Sequence, residues 1–253
     1  MKDINNIDLE NYIPNEDFIK DFLWDKFFFK KDILNILLKL KKFPTLSDLD
    51  LAITASSTVS EAYELIKYIE DNSKGSLKLK RSYKYPTIND EYFKNKLNRK
   101  IQSLNSKIII AGMSKEIECV LDKGGIVAGK STIIVRGNDQ LLRILTGYLN
   151  SSLASFFLKY NYNSLQMAGG YLNIKPSIIS SLPVCNDFLK INEIPVIVDN
   201  IQSLSQTQDY LTNEGKKSQV KLLQIEIDQL IYKLYELTDE EIKIVEEETK
   251  HLY

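Results

Sequence analysis

Histidine is almost missing from this chain. The 253 residues hold one, His251, two positions before the last residue. Imidazole-based metal sites and Ser-His-Asp catalysis need well-placed histidines, so both are nearly excluded. Cysteine is scarce too. Cys119 and Cys185 cannot build a disulfide framework, and a reducing cytoplasm is the expected setting. No run approaches the roughly 18 consecutive apolar residues of a membrane span, and residues 1–6 lack the apolar stretch of a signal peptide. Net charge is −1, with 33 Lys and Arg against 34 Asp and Glu. That balance argues against a protein that coats nucleic acid by bulk attraction.

What is present suits a folded protein: 43% of residues are hydrophobic, 10% aromatic and 26% charged. Disorder is therefore not expected, and the length suits one large or two small domains. The small net charge hides a segregation. Residues 74–136 carry 14 basic and 5 acidic side chains, a net of +9, whereas 186–253 carry −7, 1–73 carry −5 and 137–185 carry +2. A basic middle between acidic ends is either a set of solvated faces or a surface that meets an anion, and charge alone does not decide.

Spacing predicts a helix over residues 15–42. Asn15 can cap it, and Phe18, Phe22, Ile33, Leu37 and Leu40 recur at helical intervals before Pro44 stops it. Trp24 with Phe27, Phe28 and Phe29 is too apolar for an exposed face; it is core or a docking surface. Residues 60–69 read as a short helix, and 76–86 alternate apolar and basic side chains like a strand with one basic face. Short β-branched runs at 107–111, 118–121, 126–128 and 132–135 suggest an antiparallel meander. Leu141 to Tyr160 reads as one helix, Tyr171 to Ile174 as a short strand, and Ser180 to Val184 as extended. In the C-terminal third, Ile197, Ile201, Leu204 and Leu211 form one helical stripe. Leu223, Ile227, Leu230 and Leu234 form another beyond a turn at Asn213–Gly215. The fold class expected is α+β: a small antiparallel β core with flanking helices and a C-terminal helical hairpin. Three regions follow, an N-terminal helical segment 1–45, a central domain 46–185 and the hairpin 186–253.

Residues 124–131 satisfy the phosphate-loop pattern G-x-x-x-x-G-K-[ST]. That loop works only where it opens a helix, whose amides then cradle phosphate. Here Thr132-Ile133-Ile134-Val135 follows, a strand signal, so a nucleotide hydrolase is not expected. A lysine and two hydroxyls beside glycines can still hold one backbone phosphate. No G-x-G-x-x-G opens a dinucleotide fold, and with no adjacent prolines the Asn/Asp-Pro-Pro-Tyr loop of amino-methyltransferases cannot occur. No catalytic, cofactor-binding or metal-binding residue is assigned.

Several motifs in order resemble one family. They are the run from Lys107 to Lys115, then Gly129-Lys130-Ser131-Thr132, Gly147-Tyr148-Leu149-Asn150-Ser151, Gly169-Gly170-Tyr171-Leu172, Leu182-Pro183-Val184, and the helix from Glu226 to Ile242. With Thr58 to Tyr63 as an entry segment, these resemble the C-terminal target-recognition domain of TaqI-like and Eco57I-like N6-adenine methyltransferases and fused restriction–methylation enzymes. The resemblance runs from about residue 45 to the C-terminus. It departs in lacking the methyltransferase domain that such proteins carry N-terminally, and in having residues 80–85 where a glycine turn is usual.

The resemblance implies a bacterial DNA-recognition module, non-catalytic on its own, with S-adenosylmethionine held by a catalytic domain or partner subunit. Double-stranded DNA and that catalytic part are the implied partners. Lys78, Lys80, Arg81 and Lys84 are the groove-facing candidates, with Tyr83 and Tyr85 stacking or hydrogen bonding. Lys115, Lys130 and Ser131 are the phosphate candidates. Arg81 is the only arginine of the strip, so bidentate guanine reading falls to it first. Two alternatives stay open: a fragment or subunit of an adenine methyltransferase or type II endonuclease, or a protein-binding mimic of such a domain.

Overall fold

The computed structural model describes residues 29–57, 93–129 and 131–250. The expected helix at 60–69 and the basic strand at 76–86 lie outside them. The first helix, α1 (Lys31–Leu40), buries Ile33, Leu34, Ile36, Leu37 and Leu40 on one face. Each such side chain contributes about 1.5–3 kcal/mol on leaving water. Lys30 is extended (φ −56°, ψ 142°), so the helix starts at Lys31 and does not run continuously through the residues before it.

One antiparallel sheet forms the β core. It contains β1 (Ala52–Ala55), β2 (Lys107–Ala111), β4 (Cys119–Asp122) and β5 (Thr132–Arg136), in the order β1-β5-β2-β4. A short helix, α2 (Leu97–Leu104), leads into β2. A separate ribbon joins β3 (Met113–Ser114) to β6 (Leu172–Asn173). The sheet is not a meander, because β5 crosses β2 to pair on its far side. Residues 126–128 form no strand. Asp122 accepts hydrogen bonds from Gly124 N (3.1 Å) and Ile126 N (3.2 Å), and these turn the chain away from the ladder. Gly124 and Gly125 have φ of +108° and +111°, a region that glycine alone enters freely.

The outer edge of β4 is covered by amide side chains. Asn150 Oδ1 accepts from Cys119 N (3.0 Å) and Asn150 Nδ2 donates to Cys119 O (3.1 Å), while Gln202 Nε2 donates to Leu121 O. An open edge is a template for unwanted strand pairing, and these two residues close it.

Helices α3 (Asp139–Leu149) and α4 (Ser152–Asn161) replace the single helix expected over 141–160, with a bend of 66° between them. The break has a sequence cause. Ser151 caps α4 by accepting from Ala154 N (3.2 Å), and Asp228 accepts from Ser152 N (2.9 Å) and Ser152 Oγ (2.6 Å). Helix α5 (Pro176–Ser180) then leads to an extended Leu182–Val184 segment. There Leu46 N donates to Leu182 O (2.9 Å) and Val184 N to Pro44 O (2.7 Å). The extended reading therefore fits 182–184, whereas Ser180 belongs to the helix. The Pro183 carbonyl is buried and accepts from both Tyr148 and Tyr235, the latter at 2.8 Å.

The C-terminal hairpin consists of α6 (Glu193–Ser205) and α7 (Glu214–Leu234), and a further helix, α8 (Asp239–Thr249), follows them. Leu211, assigned to the first stripe, lies beyond α6 and is 79% exposed. One apolar core runs through α1, the inner sheet face and the later helices: Ile36, Leu37, Ile108, Val135, Leu145, Phe156, Ile197 and Ile231 belong to it. Among the described residues no single helix is long and apolar enough to cross a membrane.

Candidate nucleic-acid interface

Helix α2 reverses the usual amphipathic pattern. It buries Arg99, Gln102 and Ser103 while Leu97, Ile101 and Leu104 are exposed. A buried guanidinium needs compensation, since desolvating an unpaired charge costs several kcal/mol. Arg99 finds it in neutral oxygens. Nη1 donates to Ser56 O and to Gln102 Oε1 (2.5 Å), and Nη2 donates to Ala128 O (2.8 Å). Gln102 Nε2 also donates to Ser56 O, at 2.9 Å.

Those contacts knit three separate segments. Ser56 follows β1, α2 follows the basic stretch of sequence, and Ala128 lies in the glycine-bounded loop before β5. Ser56 Oγ donates to Gly129 O (2.6 Å), which also accepts from Thr132 Oγ1 (2.8 Å). The Thr132 hydroxyl is thus spent inside the protein. Ser131 is exposed, with φ of +59°, and its carbonyl accepts from Gly112 N (2.8 Å). A Cβ on Gly112 would stand 2.5 Å from that oxygen, so only glycine allows the approach.

The ribbon leaves the sheet beside this junction. Gly112 connects β2 to β3, and its carbonyl accepts from Ile174 N (2.9 Å). Lys115 is exposed and sits 5.5 Å from the Tyr171 ring centroid, within cation–π range. Two of the phosphate candidates, Lys115 and Ser131, therefore lie at the same end of the sheet, linked through Gly112. Lys130 is outside the described residues. So are Lys78, Lys80, Arg81, Tyr83, Lys84 and Tyr85. Ser56 and Phe93 are the described residues near each side of their segment, and Ser56 is held by Arg99.

At the opposite end of the sheet Lys107 and Asp122 form a fully buried ion pair. Burial lowers the Lys107 pKa, an effect partly offset by Asp122. A cleft of about 190 Å³ lies between β4, α3, α6 and α7. Its polar lining is neutral, with Cys119, Asn150, Gln202 and Gln224 among it, and so offers no charge to an anion. Burial pushes the Cys119 thiol well above its ordinary pKa, which keeps it protonated and unreactive.

The glycine-rich loop also settles the phosphate-loop pattern. Ser131 is followed by β5 and opens no helix, so no row of helix amides faces a nucleotide there.

The family model described as the TaqI-like C-terminal specificity domain matches residues 58–184. The chain belongs to that family. The matched TaqI-like span takes in β2 to β6 and α2 to α5, together with Arg99 and Ala128 of the junction. Helices α1, α6, α7 and α8 lie outside it, and so does the Glu226–Ile242 segment, so the matched span is shorter than the resemblance of the motifs. No curated protein matches the chain.

Arg99, Gln102 and Ser56 are not among the residues that sequence reasoning singles out. Their signal is local: an arginine and a glutamine three residues apart, on the face opposite Leu97, Ile101 and Leu104.

Proposed function

We propose that this chain is the sequence-recognition module of an adenine-methylation or restriction–modification system, non-catalytic alone, whose S-adenosylmethionine is bound by a separate catalytic domain or subunit. The observation that carries it is the junction at Arg99. There Ser56, two residues before the 58–92 segment, the glycine-bounded loop and the root of the ribbon meet at one end of the sheet, beside and within the span shared with TaqI-like specificity domains. The sequence adjoining this junction is the basic part of the chain, +9 over residues 74–136. A stretch with that excess of positive charge suits a polyanion better than a small substrate, although its Lys107 is spent on Asp122 and its Lys123 on Asp199. In such a division of labour phosphate contacts fix the register, base-edge contacts specify the site, and the catalytic part receives the extruded adenine. Lys115, Lys130 and Ser131 take phosphates in this reading, and the strip at Lys78, Lys80, Arg81, Tyr83, Lys84 and Tyr85 reads bases.

Calorimetry with S-adenosylmethionine and fluorescence anisotropy with duplex DNA test the proposal together. The expected result is DNA binding without cofactor binding. Cofactor binding by this chain, or no DNA binding with or without a methyltransferase subunit, would overturn it.

A further inference from the structure

The ribbon has two unlike faces. In the pairing of β3 with β6, Ser114 stands opposite Leu172, and both are buried, at 2% and 0% exposure. Side chains alternate across a strand, so Met113 and Asn173, which pair one step away, lie on the other face. A third chain segment extends that face. Gln166 bridges Leu172, and Met167 N donates to Tyr171 O (2.7 Å), which places Met167 and Tyr171 on the same open side. Exposure agrees: Met167 51%, Met113 41% and Tyr171 36%. Two of the three methionines of the chain stand on this small surface, beside Lys115. A turn through Gly169 and Gly170, both at φ near +80°, joins the segments.

Three large apolar side chains on one open face mark a contact surface. We infer that this face touches the bases of duplex DNA, with Tyr171, Met167 and Met113 meeting an opened or distorted base step and Lys115 the adjoining phosphate. The inference rests on the DNA-reading role proposed above. Its occupant follows from continuity and charge. Gly112 roots the ribbon and bonds Ser131 directly, so the face borders the phosphate candidates, and Lys115, over the Tyr171 ring, sets one positive charge at its edge. Aromatic rings stack on unstacked bases, and flexible apolar side chains wedge between base steps, whereas the paired duplex exposes only its edges.

The test uses the full chain, a mixed-sequence duplex, and the same duplex carrying one unpaired base. The parent should bind the second about five- to tenfold more tightly. A Tyr171→Ala, Met167→Ala variant should lose that preference and keep its salt slope, since no phosphate contact is removed. Met167→Leu, which keeps apolar area, should retain the preference and so controls for folding. Lys115→Ala should lower the salt slope by about one. If the double variant binds both duplexes as the parent does, this inference falls and the DNA-reading role stands. If the parent binds neither duplex, alone or with a methyltransferase subunit added, both fall. If the double variant changes sedimentation of the chain and not its DNA affinity, the face joins protein copies and the inference falls.

Discussion

The guanidinium of Arg99 and the main-chain oxygen of Ser56 are hydrogen-bonded in the protein interior across 43 residues of chain. The same guanidinium reaches Ala128 O, so one side chain holds α2, the end of β1 and the loop before β5. A planar fork with five fixed donors suits carbonyls on separate segments better than a compact ammonium does. Arg99→Leu strands the buried Ala128 carbonyl, takes the Arg99 donor from Gln102 Oε1 and leaves Ser56 O with Gln102 Nε2, and is expected to destabilise by about 2–4 kcal/mol. Arg99→Lys should recover only a minor part of that. Urea unfolding checks both, and a loss under about 0.5 kcal/mol for the leucine variant would contradict the clamp.

Lys107 and Asp122 make a second, independent test. Lys107→Met leaves a buried carboxylate without its cation, an expected loss of about 3–5 kcal/mol. Replacing both, by Met and Leu, should cost less than the single change but not zero, because Asp122 also ties Gly124 N and Ile126 N. The pH dependence has a definite sign. With the Lys107 pKa lowered by burial, the unfolded chain holds a proton that the native chain does not, between the folded value and the ordinary 10.5. Stability from this group therefore rises with pH through that window. Thermal melts of parent and Lys107→Met in alkaline buffers should show the parent gaining relative to the variant.

Glu248 gives the acid counterpart. Burial pushes its carboxyl pKa up, but hydrogen bonds from Lys159 (2.7 Å) and Tyr160 outweigh that and hold it below the ordinary carboxylate range. A lowered folded pKa contributes stability above the unfolded value, lost as pH falls through the folded one. The contact joins α4 to α8, so Glu248→Gln should cost about 0.5–1 kcal/mol near neutrality and progressively less as the pH falls below the ordinary carboxylate range. Melting temperatures of the two proteins should converge as the pH is lowered.

Gly112→Ala probes the junction between ribbon and loop. A Cβ there meets Ser131 O at 2.5 Å, a backbone atom that cannot swing aside. The expected cost is about 1–3 kcal/mol, with a several-fold loss of DNA affinity in the proposed role. Gly147→Ala is the control. Its Cβ would press on Ile194, between α3 and α6, so it should lower stability without changing the salt slope of binding.

Much of this fold was legible because local signals and tertiary needs agreed. The β-branched runs at Ile108–Ile110 and Ile133–Val135 became β2 and β5, fully buried as their composition required. Strand order was not legible: nothing in residues 123–131 announces that β5 passes beyond β2 to reach β1. The break between α3 and α4 was written in Asn150 and Ser151, whose capping chemistry is masked by the apolar stripe on either side. Arg99 is hard to find because its helix turns a polar face inward, which periodicity alone reads as outward. Of the candidate site, Lys115 and Ser131 stand together at one end of the sheet. The exposed ribbon face left no periodic trace, since Met113, Met167 and Tyr171 come together only through strand pairing.

The central claim is that this chain reads duplex DNA from that end of its sheet. A salt titration of binding to mixed duplex DNA, for the parent, Arg81→Ala and Lys130→Ala, tests it most directly. The account predicts a steep fall of affinity with salt, flattened by about one unit of logarithmic slope wherever a phosphate contact is lost. Affinity that ignores salt, or identical slopes for all three proteins, would contradict it.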